Sequence, residues 1–218
     1  MSKNLFLCSV LLGAIACNQQ PSAPEAGNKE QPPAATNIKE LSFEALFRKT
    51  EPAELTDNVF KLVGQDYTVI TAGGETDFNS MTAGWGGWGV LLNAPSTWCM
   101  LRANRYTLEL MKREKTYTMS YFPDEYKEQV LYYGSQSGRN SDKMKNSPLT
   151  WVKTPNGNIA YKEARLVVEC KLTEVTTVAP GDFYSDSGRE FIESGFNDAK
   201  DYHKLVFGEI TGVWIKKQ

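Results

Sequence analysis

Five runs of this 218-residue chain are dense in β-branched and aromatic side chains: Tyr67 to Ala72, Thr97 to Arg102, Thr116 to Phe122, Ala164 to Val175 and Leu205 to Ile215. Such side chains suit a pleated, half-buried surface, so the runs read as strands. Helical spacing is scarce beside them. Its best instances are Thr107 to Glu114, Asp124 to Leu131 behind Pro123, and a polar Gly188 to Ala199 ahead of the last strand. Glycine and proline fill the gaps, and strand and helix do not alternate. The pattern argues against a doubly wound parallel sheet and predicts a mainly β fold, a closed antiparallel barrel with a few short helices.

The first forty residues follow different rules. One cation, Lys3, precedes Leu5-Phe6-Leu7-Cys8-Ser9-Val10-Leu11-Leu12, an apolar stretch suited to an export signal and too short to span a bilayer as a mature helix. It closes on Ala14-Ile15-Ala16-Cys17, small residues ahead of a cysteine, and so resembles the lipobox of bacterial lipoproteins. Two positions depart from the usual pattern: Ala14 stands where Leu is usual, and Ile15 is bulkier than the common residue. The resemblance implies that residues 1–16 leave as a signal peptide and that Cys17 carries lipid. The protein is then exported and held on a bilayer of a bacterial envelope. An ordinary secretory signal and a buried N-terminal helix are the alternatives. From Asn18 to about Ile38, Gln, Asn, Ala and the prolines at 21, 24, 32 and 33 offer a core almost nothing. Residues 17–40 therefore read as a disordered linker behind the lipidated Cys17, and residues 41–218 as the folded domain.

With 24 Lys and Arg against 26 Asp and Glu, the chain has no basic field, and nucleic acid is not an expected partner. A single histidine, His203, cannot build a zinc site that needs several imidazoles, and no metal is expected. Cys99 and Cys170 remain for the domain, without a CxxC and within apolar strand-like runs. Two buried thiols are favoured over a disulfide, which export would permit.

Several motifs carry chemistry, each beside a plainer reading. Gly84-Trp85-Gly86-Gly87-Trp88-Gly89 satisfies GxGxxG, but Pro95 follows too soon for the helix that a dinucleotide fingerprint requires. The glycines instead let backbone approach something flat or permit a strand bulge, while the tryptophans supply broad apolar faces. Asn79-Ser80-Met81-Thr82-Ala83 places small polar groups in a loop or strand edge, where they could converge on an anion or form a simple turn. Arg105-Tyr106-Thr107 opens the clearest helix: Thr107 can cap it, and a phosphate could sit at the helix start beside Arg105, which is otherwise a solvated cation. Gly134 to Lys143 sets Arg139 and Lys143 among Ser135, Ser137 and Ser141 in a flexible loop, suited to phosphate or to water. His203 is catalytic or merely structural.

In this order, Asn79 to Trp85, Pro95, Arg105-Tyr106-Thr107, Gly134 with Ser137-Gly138-Arg139 and Asp142-Lys143, and His203 with Gly208-Glu209-Ile210 resemble the flavin reductase-like FMN-binding split-barrel family. The resemblance spans about Asn58 to Lys217. It implies a Greek-key split barrel, usually a homodimer, with FMN near the subunit interface and NADH or NADPH able to stack on it. Asn79, Ser80, Met81, Thr82, Ala83 and Trp85 would border the flavin ring and its ribityl chain. Arg105 and Thr107, with Tyr106 between them, would face the phosphate, and Ser137, Arg139 and Lys143 would extend that anion site. His203 matches the histidine of a Gly-Asp-His signature, although Asp201-Tyr202-His203 stands here, after the insertion Gly181 to Ala199.

Three functions follow as candidates. The first is an FMN-binding oxidoreductase moving hydride from NAD(P)H to flavin, chemistry that the cofactor carries and that asks the protein for no strong acid or base. The second is a lipid-anchored FMN electron-transfer module fed by another donor. The third is a surface lipoprotein that binds glycan or protein through its tryptophans and holds no flavin.

Overall fold

The computed structural model describes residues 41–139, 143–195 and 201–218. The signal, Cys17 and the linker lie outside the described residues, as do Ser141 and Asp142. Along the described chain come α1 (Phe43–Leu46), β1 (Phe47–Thr50), α2 (Val59–Lys61), β2 (Thr68–Ala72), β3 (Asn79–Ala83), β4 (Gly86–Leu91), β5 (Ala94–Arg102) and α3 (Tyr106–Glu114). Then follow β6 (Thr116–Tyr121), α4 (Lys127–Ser135), β7 (Trp151–Lys153), β8 (Ile159–Tyr161), β9 (Leu166–Thr177), α5 (Asp186–Gly195) and β10 (His203–Lys216).

These strands pair antiparallel throughout. The main sheet runs β3-β2-β6-β9-β10-β5-β4 with β1 added on β10, and β7 and β8 form a separate hairpin. The path begins on β3 and ends on β4, which only Gly84 and Trp85 separate in the chain, so the sheet has to curl until its ends meet. The result is the antiparallel barrel that the strand runs predict.

Alternation along each strand divides the apolar residues between two layers. Ile70, Leu101, Met119, Val168, Val206 and Val213 fill the barrel interior. Their neighbours Val69, Val167 and Trp214 face outward, under Phe43, Phe47, Val130 and Tyr161. All five residues of β2 are buried because both of its faces are covered. Each such aliphatic side chain contributes about 1.5–3 kcal/mol by leaving water.

Cys99 and Cys170 are buried free thiols, and burial pushes Cys170 up to about 12. The glycine-rich motif lies in β4 and turns back into β5, with no helix behind it. A Cβ on Gly87 would stand 2.3 Å from the Trp98 ring, so this glycine does admit something flat.

Three expectations are corrected. The helix expected from Thr107 starts at Tyr106 with Arg105 in the N-cap position, so Thr107 is not the cap. Its hydroxyl is buried in the first turn, where it accepts a hydrogen bond from Asn79 Nδ2 at 2.7 Å. The helix expected over Asp124 to Leu131 is a 3-10 turn at Asp124–Tyr126 followed by α4, which takes Gly134 and Ser135 out of the expected loop. Gly134 has its Cβ position 3.3 Å from Thr82 Cβ, close enough that its missing side chain lets α4 lie against β3. The insertion helix is observed as α5, Asp186–Gly195, and residues 196–200 lie outside the described set. Its loop is closed at the neck by the bond from Val178 N to His203 O, 2.9 Å.

Candidate functional site

One cleft follows β3. A cavity of about 240 Å3 lies between β3, the start of α3 and the end of α4, and a second, of about 180 Å3, is lined by Ala83, Trp85, Met100, Arg102 and His203. Both are lined by Met81, Thr82 and Arg105, which makes them two ends of a single trough.

The first end is cationic. Lys143 is only 2% exposed, and its Nζ donates to the carbonyls of Tyr133 (2.6 Å) and Gln136 (3.0 Å), oxygens that the end of α4 leaves without helical partners. Burial, reinforced by the charge of Arg105, pushes the ammonium down to about 8. Arg139 lies over the Tyr106 ring, 5.4 Å from its centroid, and pairs with Glu109. The bond from Arg139 holds the Glu109 carboxyl below its ordinary value. Arg105 is exposed and has no ion-pair partner among the described residues. Three cations against one carboxylate give this end a net positive charge, which suits a multiply charged anion.

Asn79 stands where this end meets the trough. It is 3% exposed, its Nδ2 is committed to Thr107, and its buried Oδ1 has no partner. A Cβ on Gly138 would lie 2.2 Å from that oxygen, so only glycine leaves room beside it. An unpaired buried acceptor costs about 1–3 kcal/mol, which a ligand hydroxyl or amide would relieve.

The second end is aromatic. Trp85 is 44% exposed and lies 5.1 Å from the His203 ring and 5.7 Å from Phe191 of α5, centroid to centroid. His203 is buried. That burial and the Arg102 charge lower its pKa while Asp201 opposes them, which favours the neutral imidazole. Arg102 and Asp201 form an ion pair beside it.

The sequence-predicted residues therefore converge, with one exception. Met81, Thr82, Ala83, Trp85, Arg105 and His203 line the ring end, and Asn79, Tyr106, Thr107, Ser137, Arg139 and Lys143 line the other. Ser80 is buried instead, its hydroxyl bonded to Thr71 (2.7 Å) and Tyr161 (2.6 Å), because Tyr161 covers it on the face of β3 that it shares with Thr82. Nor is the 134–143 segment simply a solvated loop, since its Lys143 is buried. Sequence reasoning missed Asn104, Tyr133, Gln136 and Phe191. The first three act here through backbone carbonyls or ring packing, for which residue type gives no signal. Phe191 was legible only as an apolar residue inside a polar helix.

Among the described residues no group of His, Cys, Asp and Glu could hold a metal ion, and no described helix is long and apolar enough to cross a membrane. A family model described as flavin reductase like domain matches residues 60–218. No curated protein matches the chain. Among solved structures, flavoredoxin from Methanosarcina acetivorans is similar, with TM-score 0.53, 20% identity and coverage of 78% of this chain and 77% of that one. An FMN-binding domain of a flavin reductases-like enzyme from Shewanella baltica gives TM-score 0.55 at 16% identity, covering 78% and 76%. The NADH:FAD oxidoreductase SgcE6 of Streptomyces globisporus gives 0.51 at 16% identity, covering 70% and 77%. At such identities the likeness shows the split-barrel fold.

Proposed function

The chain belongs to the flavin reductase-like domain family, and from that premise we propose that it is an FMN-binding oxidoreductase that takes hydride from NADH or NADPH. The observation that carries the proposal is the trough itself, with cations at one end, tryptophan at the other and an orphaned buried acceptor between them. These residues fit the cofactor. Arg105, Arg139 and Lys143 match a phosphate, Asn79 Oδ1 matches a ribityl hydroxyl, and Trp85 and Ala83 offer apolar wall to a flat ring. Bound flavin supplies the hydride acceptor. For their part, Lys143 and Arg105 hold anionic charge, and Gly138 keeps the approach to Asn79 open. His203 lies in ring contact with Trp85 and helps to position that indole.

Titrating flavin-free protein with FMN, followed by flavin fluorescence, tests this reading, and no saturable change would remove it. Arg105→Ala and Lys143→Ala should each weaken FMN by about 1–3 kcal/mol if they form charge-assisted bonds to phosphate. One observation favours a second reading, a flavin electron-transfer module without nicotinamide turnover: Phe191 and the Arg102–Asp201 pair crowd the ring end where the family signature is altered. NADH and NADPH oxidation with added flavin separates the two. The same proposal includes a lipid on Cys17 and a homodimer, supported by Ala14-Ile15-Ala16-Cys17 and by the family resemblance. Loss of fatty-acid labelling in Cys17→Ser and a sedimentation mass of two chains are their tests.

A further inference from the structure

Trp85 also walls a separate cavity of about 520 Å3. Three indoles line it, Trp85, Trp88 and Trp98, together with Phe60 and the glycines at 64, 84, 86 and 87, and its lining contains no ionisable side chain. A charged guest would lose its water there without recompense. The volume lies within the roughly 300–1,000 Å3 of small-molecule sites. At Gly64 an added Cβ would meet nothing within 4 Å, which leaves open room beside the rings, and the Trp88 indole N–H is already committed to the Tyr121 hydroxyl at 3.2 Å. Phe60 is 89% exposed and adds nothing to the core, whereas a ring lodged in the cavity would cover it. We propose that this cavity binds an uncharged planar compound of one or two fused rings, held by stacked and edge-on contacts with the indoles. The inference stands apart from the flavin reading, because only Gly84 and Trp85 among its residues also line the cleft.

The test is equilibrium dialysis of the full chain, as purified, against the uncharged two-ring probe menadione. One equivalent should bind saturably. Phe60→Ala should weaken it about tenfold through the lost ring contact. In Gly64→Leu the side chain starts where an added Cβ meets nothing within 4 Å, and binding should disappear. Both variants should take up FMN as the parent does, which also shows that they are folded. The charged analogue 1,4-naphthoquinone-2-sulfonate should bind at least about tenfold more weakly than menadione. Absence of saturable binding would overturn the proposal, as would equal binding by parent and both variants, equal binding of the sulfonate, or one-for-one displacement of FMN by menadione. So would a Phe60→Ala variant that sediments as one chain where the parent sediments as two, since Phe60 would then be covered by a second copy.

Discussion

Two buried charged side chains show what single residues do here. Glu169, fully buried in β9, accepts hydrogen bonds from Thr154 Oγ1 (2.5 Å), Asn156 Nδ2 (2.9 Å), Asn158 Nδ2 (2.9 Å) and Trp214 Nε1 (2.8 Å), and so ties the β7–β8 hairpin to the barrel. Glu169→Gln would turn one acceptor oxygen into a donor facing other donors and should cost about 3 kcal/mol, read as a lower urea midpoint. Lys143 carries the opposite lesson. It titrates near 10.5 when unfolded and about 8 when folded. Below pH 8 both states are charged and folding bears the whole penalty of burying the ammonium. Between pH 8 and 10.5 the unfolded chain binds more protons, so stability contributed at this site rises with pH. Relative to Lys143→Met, the protein should gain stability across that window in unfolding titrations at pH 7.5 and 10. A difference that stays constant would place the ammonium in water. FMN affinity should fall over the same window as the lysine loses its charge.

At the scale of elements, the β4–β5 hairpin turns on Leu92 and Asn93, both with left-handed φ, 52° and 64°. That geometry belongs to a two-residue hairpin turn that prefers Asn-Gly, and a leucine there carries backbone strain. Leu92 is 86% exposed, so its side chain adds no packing. Leu92→Asn together with Asn93→Gly should stabilise the protein by about 1 kcal/mol, seen as a higher thermal midpoint. The same hairpin shows what the sequence made legible. Its second strand was visible because Trp98-Cys99-Met100-Leu101 is a continuous apolar run. Its first strand reads less directly, as glycines that approach something flat or permit a strand bulge, because Gly86 and Gly87 take their conformation from Trp98 and not from their own propensity. β1 and the β7–β8 hairpin were not legible, being short and stabilised by long-range partners such as Trp214 and Glu169. In the cleft, the cations and aromatics were legible by type. The burial of Lys143 and that of Ser80 were not, because the first depends on backbone carbonyls at the end of α4, for which residue type gives no signal, and the second on Tyr161 far along the chain.

For the whole molecule, the cleft exists only when four distant stretches are in place: β3, the turn into α3, the end of α4 with Arg139 and Lys143, and the start of β10. No one of them holds enough of the site to bind alone, so a ligand that bridges them binds the folded state and not the unfolded chain. Its binding free energy then adds to stability. At free FMN about 100-fold above its Kd the gain is about 2.7 kcal/mol, which for a domain of this size raises the thermal midpoint by roughly 5–11 °C. Riboflavin offers the same ring without the phosphate and leaves Arg105 and Lys143 without their anion, so at equal concentration it should raise the midpoint far less. Arg105→Ala should shrink the FMN shift toward the riboflavin value and change the riboflavin shift much less. Equal shifts from the two flavins would mean that the cationic end does not grip a phosphate, however well the ring end fits.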